Sequence, residues 1–394
     1  MVEWKTIDSL GSYFGGLTGK TKKDFENGNA KFITYMNVFS NPSLDVNTVG
    51  MVHINEGEKQ NKVQKGDILF SGSSETPDEA GMSCVVTDEL KEDFYMNSFC
   101  FGLRLTESEQ YNLHFFKHVL RSHAIRQAIS KSASGVTRFN ISKARFGKIQ
   151  IPIPPLSEQN RIVGILDTFT ESIENLKKQI SEREKQYEHY RDQLLDLEGK
   201  PEKDITLLGT ICDMTKGNGV QKTDFVNEGI GCIHYGQIYT HYGSFTYTTN
   251  KFVSKEVFDK AKKASKGDIV MTDTSENVED ICKSVAYLGE EDIAVSNHAL
   301  IIKHRQNPKF LSYTTYTKSF FNQKRKYAYG VKVTGIKPDH LAQFLIYLPS
   351  IEEQNRIVTI LDTFEASIAN LEQQLTHRQK QYEYYRNMLL TFDE

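Results

Sequence analysis

Residues 158–163 read Glu-Gln-Asn-Arg-Ile-Val, and the same six residues return at 353–358. The offset is 354 − 159 = 195, and it holds without a gap through Asp167/Asp362, Gln186/Gln381, Tyr190/Tyr385 and Leu195/Leu390. A period this long excludes a solenoid or a propeller and marks a duplicated module. These stretches agree closely, whereas the segments ahead of them diverge. The chain must therefore build the same object twice with different surfaces.

From Ile162 the apolar positions run Ile162, Leu166, Phe169, Ile173, Leu176, Ile180, then Tyr187, Tyr190, Leu194, Leu197. The second copy runs Ile357, Leu361, Phe364, Ile368, Leu371, Leu375, then Tyr382, Tyr385, Leu389, Phe392. Steps of four and three with charged flanks predict a coiled-coil helix in each copy. Pro155 and Pro349 precede the starts, Ser157 with Glu158 offers N-cap chemistry, and Gly199 with Pro201 ends the first helix. At 1.5 Å per residue each helix would span roughly 55–60 Å. Two such helices pack most simply on each other, antiparallel and pseudo-twofold. Arg183 and Arg378 interrupt the two stripes at the same place, where a polar residue can fix register.

The diverged segments share a fainter plan. Lys22-Lys23-Asp24-Phe25 corresponds to Lys222-Thr223-Asp224-Phe225, and Phe32-Ile33-Thr34-Tyr35-Met36-Asn37 to Cys232-Ile233-His234-Tyr235-Gly236-Gln237. Lys65-Gly66-Asp67 corresponds to Lys266-Gly267-Asp268, and Gly135-Val136 to Gly330-Val331. Short β-branched or aromatic runs alternate with Gly, Asn and Asp turns, which predicts mixed, strand-rich domains. Phe115 to Ile129 and Tyr313 to Arg325 read as helical.

A hydrophobic content of 38% and a charged content of 25% are those of a globular protein, and no stretch approaches a membrane span. No signal peptide is expected from Met1-Val2-Glu3-Trp4-Lys5. Five scattered cysteines without Cys-x-x-Cys spacing read as reduced thiols, which suits a cytoplasmic protein and no zinc site. A net charge of −3 excludes a uniformly basic nucleic-acid binder but leaves room for local patches, because Lys and Arg cluster in the diverged segments.

Several stretches imitate chemistry. Gly15-Gly16-Leu17-Thr18-Gly19-Lys20-Thr21 is one residue short of a phosphate-binding loop, because Phe14 stands where the first glycine is needed. Asp78, Glu89 and Lys91 match the loose outline of a nuclease cluster, without a counterpart in the second module. His114 and His118 sit at i and i+4 but lack a third ligand and read as a helix-surface pair. No catalytic or metal-binding constellation emerges.

Two stretches carry a resemblance. At Ile151-Pro152-Ile153-Pro154-Pro155-Leu156-Ser157-Glu158-Gln159-Asn160-Arg161-Ile162, and at Leu348-Pro349-Ser350-Ile351-Glu352-Glu353-Gln354-Asn355-Arg356-Ile357, the chain resembles the specificity (S) subunit of type I restriction–modification systems. The resemblance covers essentially the whole length. It implies an α+β architecture of two mixed strand-rich target-recognition domains, 1–150 and 199–346, with spacer helices at 151–198 and 347–394. Gly135-Val136-Thr137-Arg138-Phe139-Asn140-Ile141 fits the family as well, whereas Gly330-Val331-Lys332-Val333-Thr334-Gly335-Ile336 has lost the Thr-Arg pair.

The resemblance further implies a non-catalytic subunit that reads a bipartite, asymmetric sequence in double-stranded DNA. Two modification (M) subunits and restriction (R) subunits would be its partners. S-adenosylmethionine, ATP and magnesium would belong to those partners, with no cofactor in this chain. Lys and Arg would position phosphates, and polar side chains would read base edges in the major groove. The expected DNA contacts are Lys20, Lys22, Tyr35, Asn37, Ser71, Ser73, Thr137 and Arg138 in the first domain. In the second they are Asn218, Lys222, His234, Tyr235, Gln237, Thr272, Thr274 and Lys332. Glu158, Gln159, Arg161, Glu353, Gln354 and Arg356 are expected to dock the M subunits, and the helix pair to act as a ruler between half-sites. Two alternatives stay open on sequence alone: a coiled-coil adaptor that binds no DNA, and a nuclease using Asp78, Glu89 and Lys91.

Overall fold

A computed structural model describes residues 1–330 and 333–392. The chain forms two compact units. The first comprises Met1–Lys177 with the second long helix from Gln373 onward, and the second comprises Lys178–Glu372. Both long helices are continuous, Leu156–Leu195 and Ile351–Leu389, so each unit holds part of each helix.

In the first unit an antiparallel sheet runs in the order Gly11–Gly15, Cys100–Leu105, Asp67–Ser71, Ser83–Val85. Its central strand, Asp67–Ser71, is buried at every position, which explains why its apolar residues run consecutively instead of alternating. A second sheet joins Gly50–Val52, Ala30–Ile33 and Phe94–Met96, the last pair parallel. Glu3–Thr6 pairs with Gln150–Ile153, closing the unit ahead of the first long helix. Phe70, Phe101 and Phe146 pack at 5.0–5.5 Å between ring centres, and their cluster extends through Phe115 and Phe116 to Ile162, Leu166 and Leu390.

The second unit repeats the plan. Cys212–Lys216, Ala299–His304, Ile269–Thr272, Ser284–Tyr287 and Phe245–Thr246 form one sheet; Phe225–Val226, Lys251–Val253, Ile230–Ile233, Ile293–Val295 and Lys262–Ala264 form another. The recurrent Lys-Gly-Asp now has a physical account. Gly66 and Gly267 take φ of +89° and +94°, a conformation that suits glycine. The aspartate that follows accepts a backbone N–H three residues back and meets a cation on the neighbouring strand, Arg104 for Asp67 and Lys303 for Asp268.

The helices pair antiparallel. In the first unit Phe169 stacks on Tyr385 at 5.2 Å, and in the second Tyr190 stacks on Phe364 at 5.3 Å; the 195-residue offset maps one pair onto the other. Arg378 lies over Phe169 and Arg183 over Phe364, so each arginine that breaks the apolar stripe finds an aromatic face on the opposite helix. Near the sheets the buried face shifts: Leu195, not Leu194, is fully buried, because the helix there packs on the sheet domain as well as on its partner helix.

Three local expectations need correction. Pro155 contributes the first carbonyl of the long helix, to Glu158 and Gln159, which places Ser157 inside the first turn and not at the cap. The region from Phe115 to Ile129 is two helices, Leu113–Val119 and His123–Ser132, and that from Tyr313 to Arg325 lies in Pro308–Thr314 and Lys318–Tyr327. The breaks fall where Ser122 and Thr317 leave helical dihedrals to begin the next helix. Finally, His118 is not on the surface but buried against the first long helix.

Candidate nucleic-acid interface

Each unit presents a turn and a hairpin side by side. In the first, Ala133–Ser134 and Phe139–Ile141 flank Gly135–Arg138, and Phe139 and Asn140 pair with Ser74 and Ser73. In the second, Tyr329 and Gly335 exchange two backbone hydrogen bonds, and Thr274 and Ser275 pair with Gly335 and Thr334. Gly135 and Gly330 have φ of +150° and +113°. A Cβ on either would lie 1.9 Å from the carbonyl oxygen three residues ahead, of Arg138 or Val333. The two hairpins therefore match at the glycine and at the base strands, although the Thr137-Arg138 pair is not repeated in sequence.

The loop behind each hairpin is gripped by a helix cation. Arg126 donates to the carbonyls of Asp78, Ala80 and Gly81, and buried Lys324 to those of Glu279 and Ile281. Gly81 and Cys282 both have positive φ, and their N–H groups donate to Ser71 and Thr272. Different sequences thus hold the same loop in the same path.

The expected contacts separate into two groups. Lys22, Thr137, Arg138, Asn218 and Lys222 have exposed side chains, although Asn218 also caps the Lys262 N–H at 2.7 Å. Arg138 donates to Ser73 Oγ, and its guanidinium lies 5.0 Å from the ring centre of Phe99. Tyr35 is half-buried and donates to the Ser73 carbonyl, so Tyr35 and Ser73 support Arg138 from beneath. Thr274 is half-buried, its carbonyl accepting from Tyr239. Tyr235 is half-buried too, 5.4 Å from the ring of His298. Lys332 lies outside the described residues.

The other residues are occupied inside the fold, so their expected exposure is corrected. Lys20 is held by Glu58 and the His53 carbonyl. Asn37, 2% exposed, donates to the carbonyls of Asp45 and Thr48 and accepts from Asn41 and the Asp45 N–H. Ser71 accepts from Met82 N–H and Thr272 faces the Lys283 carbonyl, both fully buried. His234 Nδ1 accepts from the Gly236 N–H, and Gln237 accepts from the His234 N–H and donates to Asn250. Each has polar partners within its own unit.

The residues that sequence reasoning missed are apolar or aromatic. Phe99 is 56% exposed and Val136 91%. Tyr329 and Val333 are exposed on the second hairpin, and the His298 side chain is half-exposed at φ +64°. The one local signal was Asn97, whose side chain accepts from the Phe99 N–H to form the turn.

The start of each long helix is an anchor. Gln159 accepts the Asn112 N–H at 3.0 Å and donates to the Pro154 carbonyl; Gln354 does the same with Asn307 and Pro349. Asn160 and Asn355 accept from the side chains of Asn112 and Asn307, the caps of the short helices Leu113–Val119 and Pro308–Thr314. Gln159 and Gln354 are buried, so their expected role as partner contacts is corrected: they bind the helix to its own recognition domain. Glu158–Arg161 and Glu353–Arg356 form ion pairs at 2.6 Å on the outer face, and each arginine holds its glutamate below the usual carboxylate range.

About two turns further on, Asp167 receives Lys117 and His118 at 2.7 Å, with His114 at 3.5 Å; His118 Nδ1 meets the Tyr382 hydroxyl at 2.9 Å. Burial opposes ionisation of Asp167, but the close approach of His114, the hydrogen-bonded His118 and the Lys117 cation outweigh it and hold the carboxyl well below its usual range. In the second unit Asp362 receives Lys309 and Tyr313 at 2.8 and 2.7 Å. The carboxylates of the decoy cluster have separate partners, Ser130 for Asp78 and Lys65 for Glu89. Among the described residues no group of three or more His, Cys, Asp or Glu could hold a metal ion, and no helix is long and apolar enough to cross a membrane.

Comparison with known proteins gives one consistent match. The model of the type I restriction modification DNA specificity domain matches residues 1–184 and 208–378. The chain is 29% identical over 276 residues to a Haemophilus influenzae protein provisionally named a type I restriction enzyme specificity subunit, covering 66% of this chain and 68% of that one. It is 29% identical over 261 residues to the Escherichia coli EcoR124I/EcoR124II specificity subunit, a match that covers 62% of this chain and 63% of that relative. Among solved structures, a chain from the type I R-M system, described for its complex assembly and conformational transition, superposes with a TM-score of 0.63 at 16% identity, covering 100% and 98%. The S subunit from M. genitalium gives 0.52 at 16% identity, covering 100% and 97%. At such identity these likenesses concern the fold.

Proposed function

The chain belongs to the type I restriction–modification specificity family, and from that premise we propose that it reads a bipartite, asymmetric DNA target, one half-site per unit, without catalysing a reaction itself. The observation that carries this reading is the repeated hairpin base: Gly135 and Gly330 take the same positive-φ place, and the exposed side chains near them differ, Val136 and Arg138 in one unit, Tyr329 and Val333 in the other. A shared scaffold with unlike surfaces suits two readers of unlike sequences. Lys22, Lys222 and Arg138 would engage phosphates and base edges. The helix pair would set the interval between half-sites, and its outer faces, with the Glu158–Arg161 and Glu353–Arg356 pairs, would seat two M subunits. R subunits would join that complex, and S-adenosylmethionine, ATP and magnesium would be bound by the partners.

The test is to exchange residues 1–150 for the corresponding domain of another family member and map methylated adenines in cells that also carry the M subunit. One half of the methylated sequence should change and the other persist. A change in both halves overturns the modular reading. Binding of the chain–M complex to DNA should also weaken steeply with salt; indifference to salt would favour a protein-only adaptor.

A further inference from the structure

The turns that carry Phe99 and His298 are equivalent. Phe99 precedes strand Cys100–Leu105 and His298 precedes Ala299–His304. The Phe99 carbonyl accepts from the Gly72 N–H at 2.7 Å, and the His298 carbonyl accepts from the Asp273 N–H at 3.2 Å. Arg138 stands beside the first turn, its guanidinium 5.0 Å from the centre of the Phe99 ring, and Val333 holds the equivalent place on the second hairpin, three residues after the glycine. The characters are interchanged. The first unit has an apolar turn residue with a cation on the hairpin, and the second has a polar turn residue with an apolar side chain on the hairpin. All four side chains are exposed.

Neither turn residue is needed by the core. Phe99 exposes more than half its surface and contributes to no hydrophobic cluster. His298 is held in a left-handed conformation that a non-glycine residue rarely adopts. Beneath it lies the buried carboxylate of Asp273, one oxygen on Lys216 at 2.8 Å and the other, without a hydrogen-bond partner, 4.0 Å from His298 Nδ1. In the first unit that carboxylate is replaced by Gly72, where a Cβ would crowd the Phe99 carbonyl at 2.8 Å. The two turns therefore differ beneath: a glycine lies under Phe99, and under His298 an acid that can orient the imidazole.

We propose that these two turn–hairpin pairs are the elements that discriminate the half-sites. Arg138 takes the O6 and N7 edge of a guanine while Phe99 packs on the neighbouring base, as on a thymine methyl; in the second unit His298 presents a ring nitrogen to a base edge, and the exposed Val333 offers an apolar surface from the hairpin. The chemistry follows from what the major groove displays: paired acceptors suit a guanidinium, a methyl suits an apolar surface, and single donors or acceptors suit an imidazole. This rests on the half-site reading above.

The test transplants the second pair into the first unit, Phe99→His with Arg138→Val, in the full chain bound to its M subunit. Methylated adenines are mapped, and binding is measured to duplexes carrying each single-base change in either half-site. The expected result is a loss of discrimination of about tenfold or more at one or two positions of the first half-site, with the second unchanged. Unaltered discrimination in both halves by the folded double variant overturns the proposal. Should the double variant fail to fold, Arg138→Lys replaces it: this keeps the charge but loses the bidentate fork, and unchanged discrimination there overturns the proposal equally. If the wild-type complex methylates without sequence preference, the half-site reading itself fails, a distinct outcome.

Discussion

Nε2 of His118 lies 2.7 Å from a carboxylate oxygen of Asp167, and the imidazole is almost wholly buried between the recognition domain and the long helices. A neutral ring that donates from Nε2 to Asp167 and accepts the Tyr382 hydroxyl at Nδ1 satisfies both contacts. The second unit builds the same junction without a titrating ring, from Tyr313 on Asp362.

That difference predicts a pH dependence. Burial pushes the His118 pKa below its usual value, against the pull of Asp167. Below about pH 6.5 the unfolded chain takes a proton that the folded ring refuses, so stability falls as pH falls, at no more than about 1.4 kcal/mol per pH unit. His118→Tyr, which copies the second unit, should flatten this slope between pH 7.5 and 5. The difference between the two unfolding midpoints, followed across pH, measures it, and parallel curves would show that His118 does not contribute. Asp167 acts lower: its depressed pKa makes its stabilisation complete above about pH 4 and lost as the pH falls further.

The repeated Glu-Gln-Asn-Arg predicts a split in mutational effect. Gln159→Ala strands the Asn112 N–H and the Pro154 carbonyl, both otherwise served by one buried amide. Gln354→Ala does the same at Asn307 and Pro349. Each should cost about 1–3 kcal/mol of stability, read by denaturant midpoint. Glu158→Ala and Arg161→Ala remove an exposed ion pair and should change stability by less than about 1 kcal/mol. If they weaken M-subunit binding while the fold is intact, the outer face is the docking face.

The same contrast divides the lysines. Lys22→Ala and Lys222→Ala should weaken DNA binding to all sequences alike and lower the salt-dependence slope by about 1 each. Lys20→Ala should instead lower the melting temperature, because Lys20 joins Glu58 to the His53 carbonyl. A salt slope altered by Lys20→Ala with unchanged stability would reverse this assignment.

These contrasts mark what was legible in the chain. The long helices follow from heptad spacing, a local pattern, and their antiparallel pairing from the domain-length segment that separates two matching helices. The turns at Gly66 and Gly267 follow from residue type alone. Asn37 could not be placed, because the carbonyls it holds belong to Asp45 and Thr48, which enter its environment only once the loop folds back. Gln159 could not be placed either: its partner Asn112 is 47 residues away. A polar residue in a turn looks the same whether it faces solvent or closes the turn beneath it. Phe99 errs the other way, since beside Cys100 and Phe101 it reads as part of a buried strand, and only the turn fixed by Asn97 sends it outward.

The hairpin glycines separate binding from folding. At Gly135 any side chain meets the Arg138 carbonyl, and at Gly330 the Val333 carbonyl, on backbones with positive φ. Alanine at either place must open the hairpin, because the obstructing atom is main chain and cannot rotate away. Val136, Thr137 and Arg138 in the first unit and Val333 in the second are exposed and belong to none of the hydrophobic clusters. Gly135→Ala should therefore leave the global unfolding midpoint within about 1 kcal/mol of wild type, while displacing Arg138 from Ser73 and from the face of Phe99. The binding loss should be confined to the first half-site, and Gly330→Ala should mirror it at the second. Duplexes altered in one half-site at a time separate the two, and equal losses at both halves from either substitution would mean that the hairpins do not read separate half-sites.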